Sequence, residues 1–160
     1  MNAAPSLSSP LPLIWVLEDD PGVREVITQT LVSRYRVQEF DSLDGFELAL
    51  TQSAERPKLL LADLGLGDRS FLSYLKTRET PLSQDVPFFV ITGNDDLPAF
   101  EECVAAGASD FITKPFGRAT LTGKINRLLT HHDQPFQLDQ ATFVALRDGV
   151  RSKTLTSKEF

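Results

Sequence analysis

Short unbroken apolar runs alternate along this chain with stretches in which apolar residues recur every three or four positions. Leu13–Leu17 is such a run, set between Pro12 and Glu18, the pattern of a strand buried on both faces. Asp20-Pro21-Gly22 then opens a helical pattern with Val23, Val26, Ile27, Thr30 and Leu31 on one stripe. Arg36–Phe40 reads as a second strand, and Asp44–Gln52 as a helix carrying Phe46, Leu48, Ala49 and Leu50. After Pro57, Lys58–Ala62 is a third strand that ends at Asp63. Ser70–Arg78 is predicted helical, and Pro87–Ile91 is a fourth strand ending at Thr92. Asp96–Ala106 is predicted helical, with Gly107 as its left-handed cap. Asp110–Thr113 is the fifth strand, Lys114-Pro115 follows, and a last helix spans Arg118–Leu129.

Five strands alternating with five helices through short loops predict an α/β fold: a five-stranded parallel sheet, doubly wound, with both faces covered. The organised domain is expected over residues 13–130, after a Pro-, Ser- and Ala-rich lead-in at 1–12. Residues 131–135 read as a linker. In the tail, 136–160, Phe136–Leu138, Thr142–Leu146 and Val150–Thr154 read as short antiparallel strands, with Asp148-Gly149 as a hairpin turn. Thr156-Ser157-Lys158-Glu159 is a capping box that announces a helix. Three such strands cannot bury a core of their own.

Charge sharpens this division. The 160 residues hold 16 basic and 22 acidic side chains, a net −6 that argues against a chain-wide nucleic-acid or membrane footprint. Residues 134–160 carry +1, so the first 133 carry −7. A single cysteine, Cys103, excludes an intrachain disulfide and a thiolate-rich zinc site, and it reads as inert core. No apolar run nears the ~20 residues of a membrane span. Met1–Pro12 lacks the features of a signal peptide, so a cytoplasmic setting without membrane association is expected.

In an open α/β sheet, ligands sit outside the carboxyl ends of the strands. Those ends carry Glu18-Asp19-Asp20, Asp63, Thr92 and Lys114. Crowded carboxylates repel one another unless a cation neutralises them. Oxygen donors without His or Cys favour a hard ion such as Mg²⁺. A hydroxyl and an ammonium opposite that ion suit a phosphoryl group, and an Asp that is itself phosphorylated fits the inventory. Asp20 also reads simply as the cap of the first helix. His131-His132 reads as a helix-end linker rather than a metal site.

These motifs together resemble the receiver domain of two-component response regulators, over roughly Leu13–Leu129. Val16–Pro21 (VLEDDP) is similar to the family's acidic pocket, and Leu59–Asp63 (LLLAD) to its acceptor strand. Val90–Gly93 (VITG) and Gly107–Phe116 (GASDFITKPF) match its hydroxyl and Lys-Pro segments. The resemblance implies that Asp63 accepts a phosphoryl group from a phosphohistidine of a sensor histidine kinase. It implies that Asp19, Asp63 and the carbonyl of Gly65 bind Mg²⁺, with Glu18 acting mainly through a bound water. Lys114 would pair with the phosphoryl oxygens. Thr92 and Phe111 would form the switch, Gly93 would leave room for the phosphoryl group, and Gly65 and Asn94 would tune the lifetime of the phosphoaspartate.

The loop after Asp63 departs from the family, carrying Gly67 and Phe71 where a Pro and a later Gly are usual. The tail, ending DGVRSKTLTSKEF, resembles the opening sheet of OmpR/PhoB-type winged-helix effector domains, without the recognition helix and wing. DNA binding is therefore expected only of a complete effector. A homodimer through the fourth helix, fifth strand and fifth helix is also implied. Only Asp110 and Lys124 fit the family's charged pattern there, while Phe100, Ala105, Thr120 and Asn126 do not. The chain is expected to transfer a phosphoryl group only onto and off itself, and so not to be an enzyme. Two other readings stay open: a receiver that is never phosphorylated and acts as an interaction module, and a Mg²⁺-dependent phosphohydrolase, for which the short loops leave little room.

Overall fold

The computed structural model describes residues 10–93 and 97–130. Five strands, β1 (Leu13–Leu17), β2 (Arg36–Phe40), β3 (Leu59–Asp63), β6 (Phe88–Thr92) and β7 (Asp110–Thr113), form one parallel sheet in the order β2-β1-β3-β6-β7. Between β3 and β6 lie β4 (Gly65–Leu66) and β5 (Arg69–Ser70), an antiparallel ladder of two residues each. The helices are α1 (Pro21–Leu31), α2 (Leu43–Gln52), α3 (Phe71–Thr77), α4 (Leu97–Ala105) and α5 (Arg118–Thr130). The predicted doubly wound sheet is the observed one.

All five residues of β1 and all five of β3 are buried, because helices cover both faces. The alternation hidden in these apolar runs is one of faces. Ile14, Val16, Leu59, Leu61, Phe89, Ile91 and Ile112 pack with Ile27, Leu31, Leu121 and Ile125 of α1 and α5. Trp15, Leu17, Leu60, Ala62, Phe88 and Val90 face the other way, onto Phe46, Phe71, Tyr74 and Cys103. Trp15 meets Phe40 edge-on at a centroid distance of 5.0 Å, one of several perpendicular ring contacts in that half of the core.

Local chemistry sets the element boundaries. Asp20 Oδ1 accepts from Gly22 N–H at 2.8 Å and Val23 N–H at 3.1 Å, starting α1 with Pro21 in its first turn. Ser42 and Ser70 cap α2 and α3 through their hydroxyls. Capping by Ser42 starts α2 at Leu43, one residue before the predicted Asp44. Gly107 has φ +108°, as a glycine placed to end α4 requires.

Two elements were not foreseen, the β4–β5 ladder and a single 3₁₀ turn at Leu82–Gln84. The ladder closes through Gly67-Asp68, with Gly67 at φ +68°, so the loop that departs from the family is a tight hairpin. Several sequence-based expectations lie outside the described residues. These are most of the lead-in, Asn94, the start of the fourth helix at Asp96, the linker with His131-His132, and the antiparallel tail with its capping box.

Candidate functional site

Glu18, Asp63 and Lys114 come from three different segments and meet at the carboxyl end of the sheet. The last apolar side chains of β1, β3 and β7 on the α1/α5 side are Val16, Leu61 and Ile112, and two residues on are Glu18, Asp63 and Lys114. The period of two therefore carries all three to one side. Glu18 is fully buried and Asp63 is 7% exposed. Lys114 Nζ stands 3.1 Å from Asp63 Oδ1 and 3.2 Å from Glu18 Oε1. Asp19, exposed at the rim, completes a group whose oxygens with those of Glu18 and Asp63 all lie within 4.8 Å of one another. The expected acidic pocket is assembled by the fold.

The backbone around these groups is tied down. Glu18 N–H donates to the Phe40 carbonyl at 3.0 Å, and Glu18 Oε2 accepts from Asp20 N–H at 3.1 Å. Lys114 N–H donates to the Thr92 carbonyl at 2.7 Å, which fixes the lysine's strand end against that of β6. Asp63 accepts a hydrogen bond from the Gly65 N–H. The hairpin leans over this end of the sheet: a Cβ on Gly67 would lie 3.9 Å from Asp19 Oδ2. Arg69 at its far side pairs with Asp44 of α2 at 2.9 Å.

Three carboxylates face one ammonium, and the titration of the site reflects this. Burial pushes the Glu18 carboxyl above the usual range; the Asp20 N–H opposes that, and the Asp63 charge adds to it. Burial likewise raises Asp63, which Lys114 counters and Asp19 reinforces. Burial works against the charge of Lys114, but Asp63 and Glu18 outweigh it and hold the ammonium above its ordinary value. Glu18 Oε1 is buried and has no aligned hydrogen-bond donor, although Lys114 Nζ is at ion-pair distance. An unsatisfied buried carboxylate oxygen in an oxygen-only set with excess negative charge is what a hard divalent cation such as Mg²⁺ satisfies. These residues fit that ion.

The other predicted residues lie nearby with different surroundings. Thr92 ends β6, half-buried, and its place two residues after Val90 puts it on the α4 side of the sheet. Phe111, paired in register with Val90, turns to that same side. Its ring is half-buried and packs on Phe100 of α4 at 4.4 Å between centroids. The acidic pocket and the pair Thr92 and Phe111 thus lie on opposite faces of the sheet. Gly93 follows Thr92 and is exposed. Asp20 stands outside the three-carboxylate group and serves as the helix cap. Cys103 is buried core, its thiol pushed up to about 11 by burial first and by Glu102 second.

Two arrangements could not be read in advance. Asp110 and Lys124, expected in a pattern of pairs between subunits, bind each other within the chain at 3.0 Å, with Lys124 Nζ 6.0 Å from the centre of the Phe111 ring. The strand ends are also less cramped than the short loops suggested. An open groove of about 530 Å³ runs beside Lys114, between Val23 and Val26 of α1 and Phe116.

The site and fold thus combine a doubly wound five-stranded parallel sheet with an acidic pocket, a hydroxyl and a lysine at its carboxyl end, the arrangement of a CheY-like α/β domain. Residues 14–126 match the family model described as the response regulator receiver domain, and the chain belongs to that family. The chain is 34% identical over 147 residues to the transcriptional regulatory protein DltR of Streptococcus agalactiae, covering 90% of this chain and 63% of that one. It is 28% identical over 129 residues to the DNA-binding transcriptional regulator NtrC of Proteus hauseri, covering 80% of this chain but 27% of that one. Among solved structures, a CheY-like receiver domain from Methanospirillum hungatei JF-1 superposes with a TM-score of 0.68 at 23% identity, covering 78% of this chain and 98% of that one. The chain spans a quarter to under two-thirds of the length of these curated relatives. No helix among the described residues is long and apolar enough to cross a membrane.

Proposed function

We propose that this chain is the phosphoryl-accepting input of a two-component transcriptional regulator and that Asp63 is the acceptor. The observation that carries this is the position of Asp63, which is grouped with buried Glu18 and with Asp19 at the rim and lies 3.1 Å from the ammonium of Lys114. An Asp63 carboxylate oxygen attacks the phosphorus of a phosphohistidine on a sensor histidine kinase. The P–N bond breaks, its electron pair leaves with the imidazole, and an acyl phosphate forms on Asp63. Asp19, Asp63 and the Gly65 carbonyl, with Glu18 behind them, would hold Mg²⁺, which would supply charge neutralisation for the phosphoryl oxygens. Lys114 then exchanges its carboxylate partner for a phosphoryl oxygen. Thr92 turns toward the same group, and Phe111 follows it by changing its packing on Phe100.

The reaction is stoichiometric, on and off the chain's own Asp63, and so not that of an enzyme acting on an outside substrate. The kinase is the principal partner, and a cytoplasmic setting goes with it. The face formed by α4, β7 and α5 is the surface through which the switch reaches a second copy or the output domain. A match to DltR over nine-tenths of the chain must run past residue 130 into the tail. We read residues 136–160 from their sequence pattern as the start of an OmpR/PhoB-type effector, with DNA binding only when that effector is complete; the match to DltR supports the coarser reading that the tail belongs to a transcriptional regulator.

Intact-mass measurement after incubation with a small phosphodonor tests the proposal. Wild type gains one phosphoryl group when Mg²⁺ is present and none in excess chelator, and Asp63→Asn gains none. Wild type that stays unlabelled, or Asp63→Asn labelled like wild type, overturns it.

A further inference from the structure

Beyond Leu17 the carbonyls of β1 leave both ladders, since the registers with β2 and β3 end at Leu17–Phe40 and Leu17–Ala62. The Glu18 carbonyl would face the loop without a strand partner, which is costly in a part-buried position. Arg24, on the inward side of the first turns of α1, fills that role: its Nη1 donates to the Glu18 carbonyl at 2.7 Å. The same guanidinium turns its Nε to Glu39 Oε1 of β2 at 3.4 Å, and Glu39 Oε2 in turn accepts from the Thr28 hydroxyl of α1. The Arg24 side chain is only 19% exposed.

We propose that Arg24 is a positioning residue for the cation pocket, fixing the Glu18–Asp19 peptide from which two of its three carboxylates spring. This inference rests on the reading of the pocket as a Mg²⁺ site. Glu18 is held at four points: N–H to Phe40 of β2, Oε2 from Asp20 N–H, Oε1 beside Lys114 Nζ, and carbonyl from Arg24. The last is the tie from a side chain to the pocket's backbone, and through Glu39 it adds a second link to β2 beside the one at Phe40. A planar fork with several donors suits both tasks at once.

Charge and positioning act on cation affinity with opposite signs. As a positive charge near the pocket, Arg24 repels a cation, so its removal tightens binding by Coulomb's law alone. As an orienting group, its removal loosens binding, by about tenfold where the partner of a metal ligand is lost. Calorimetric titration of the full chain with Mg²⁺, beside urea unfolding in chelator, separates the two effects. Arg24→Met is expected to weaken Mg²⁺ binding about tenfold, and Arg24→Lys, which keeps the charge and one donor, to fall between. Arg24→Met that binds as tightly as wild type or more tightly overturns the inference, even if its unfolding midpoint drops. Should Arg24→Met not fold, Arg24→Lys decides: weakened binding supports the role and unchanged binding overturns it. Wild type that fails to bind Mg²⁺ overturns this inference together with the cation reading beneath it, whereas wild-type binding unmoved in the variants overturns the inference alone.

Discussion

Lys114 Nζ lies 3.1 Å from Asp63 Oδ1, although the strands that deliver them, β7 and β3, are not neighbours and β6 runs between them. The lysine crosses the end of β6, and its backbone N–H is bonded to the Thr92 carbonyl on the way. An ammonium anchored in this way neutralises part of a pocket that holds more negative charge than it can balance.

The cation-free chain should lose stability from this site as pH rises. Glu18 and Asp63 are both raised by burial, so the folded state binds their protons more tightly than the unfolded state does. Their contribution is present below the ordinary carboxylate range and is lost as pH climbs through their raised values. Lys114, also raised, contributes up to its ordinary range and loses that contribution only at more alkaline pH. Urea unfolding in chelator should show Asp63→Asn gaining on wild type between mildly acid and neutral pH. A constant difference across that range refutes the assignment.

Removing the lysine should exchange stability for cation affinity. In chelator, Lys114→Met is expected to be less stable by about 1–3 kcal/mol, below the usual range for a broken buried pair because Lys114 is partly exposed. Saturating Mg²⁺ should narrow that gap, and the variant should bind Mg²⁺ at least as tightly as wild type, since no ammonium competes for the carboxylates. Calorimetry and urea unfolding at two Mg²⁺ concentrations measure both effects.

Asp20 and Asp19 are neighbours in sequence with separate duties. Asp20→Ala should cost about 1 kcal/mol, the loss of a helix cap, and leave Mg²⁺ affinity little changed. Asp19→Ala should reverse the pattern, with a small stability change and a large loss of affinity. Equal loss of affinity in the two variants would put Asp20 in the pocket as a ligand.

Gly107 sits where a side chain meets two obstacles. At φ +108° a Cβ would lie 2.6 Å from Ser83 Oγ and 3.0 Å from Ser83 Cβ. Gly107→Ala should destabilise by about 1–3 kcal/mol. Adding Ser83→Ala should recover only part of it, because the backbone conformation stays unfavourable. Thermal unfolding of the single and double variants checks both statements.

The elements were legible because their signals are local. Leu13–Leu17 and Leu59–Asp63 are apolar without interruption, as strands covered on two faces must be. Asp20-Pro21 marks the start of α1 through hydrogen bonds that reach only two or three residues, while the caps at Ser42 and Ser70, equally local, were passed over and set those helix starts one residue from the expected ones. The pocket was legible for a related reason: a parallel sheet brings the carboxyl ends of its strands to one edge, so Glu18, Asp19, Asp63, Thr92 and Lys114 could be grouped from order and spacing alone. Even the hairpin left a trace in Gly67-Asp68, masked by its place in a loop expected to follow another pattern.

What only the tertiary structure decided depends on which side a residue faces and on groups that carry no letter of their own. An apolar run reads the same at both parities, so the division that sends Ile14 to α1 and Trp15 to α2 appeared only once the helices were in place. The same division separates the pocket from Thr92 and Phe111. The Asp110–Lys124 pair closes within one chain because α5 lies beside β7, a proximity that pairwise charge patterns do not encode. The contact of Arg24 is with a carbonyl, which every residue possesses. The sequence by itself determined which elements form and which chemistry gathers at their ends, since both follow from short-range periodicity and chain order. Packing decided how that chemistry is oriented and held, because orientation comes from neighbours far away along the chain.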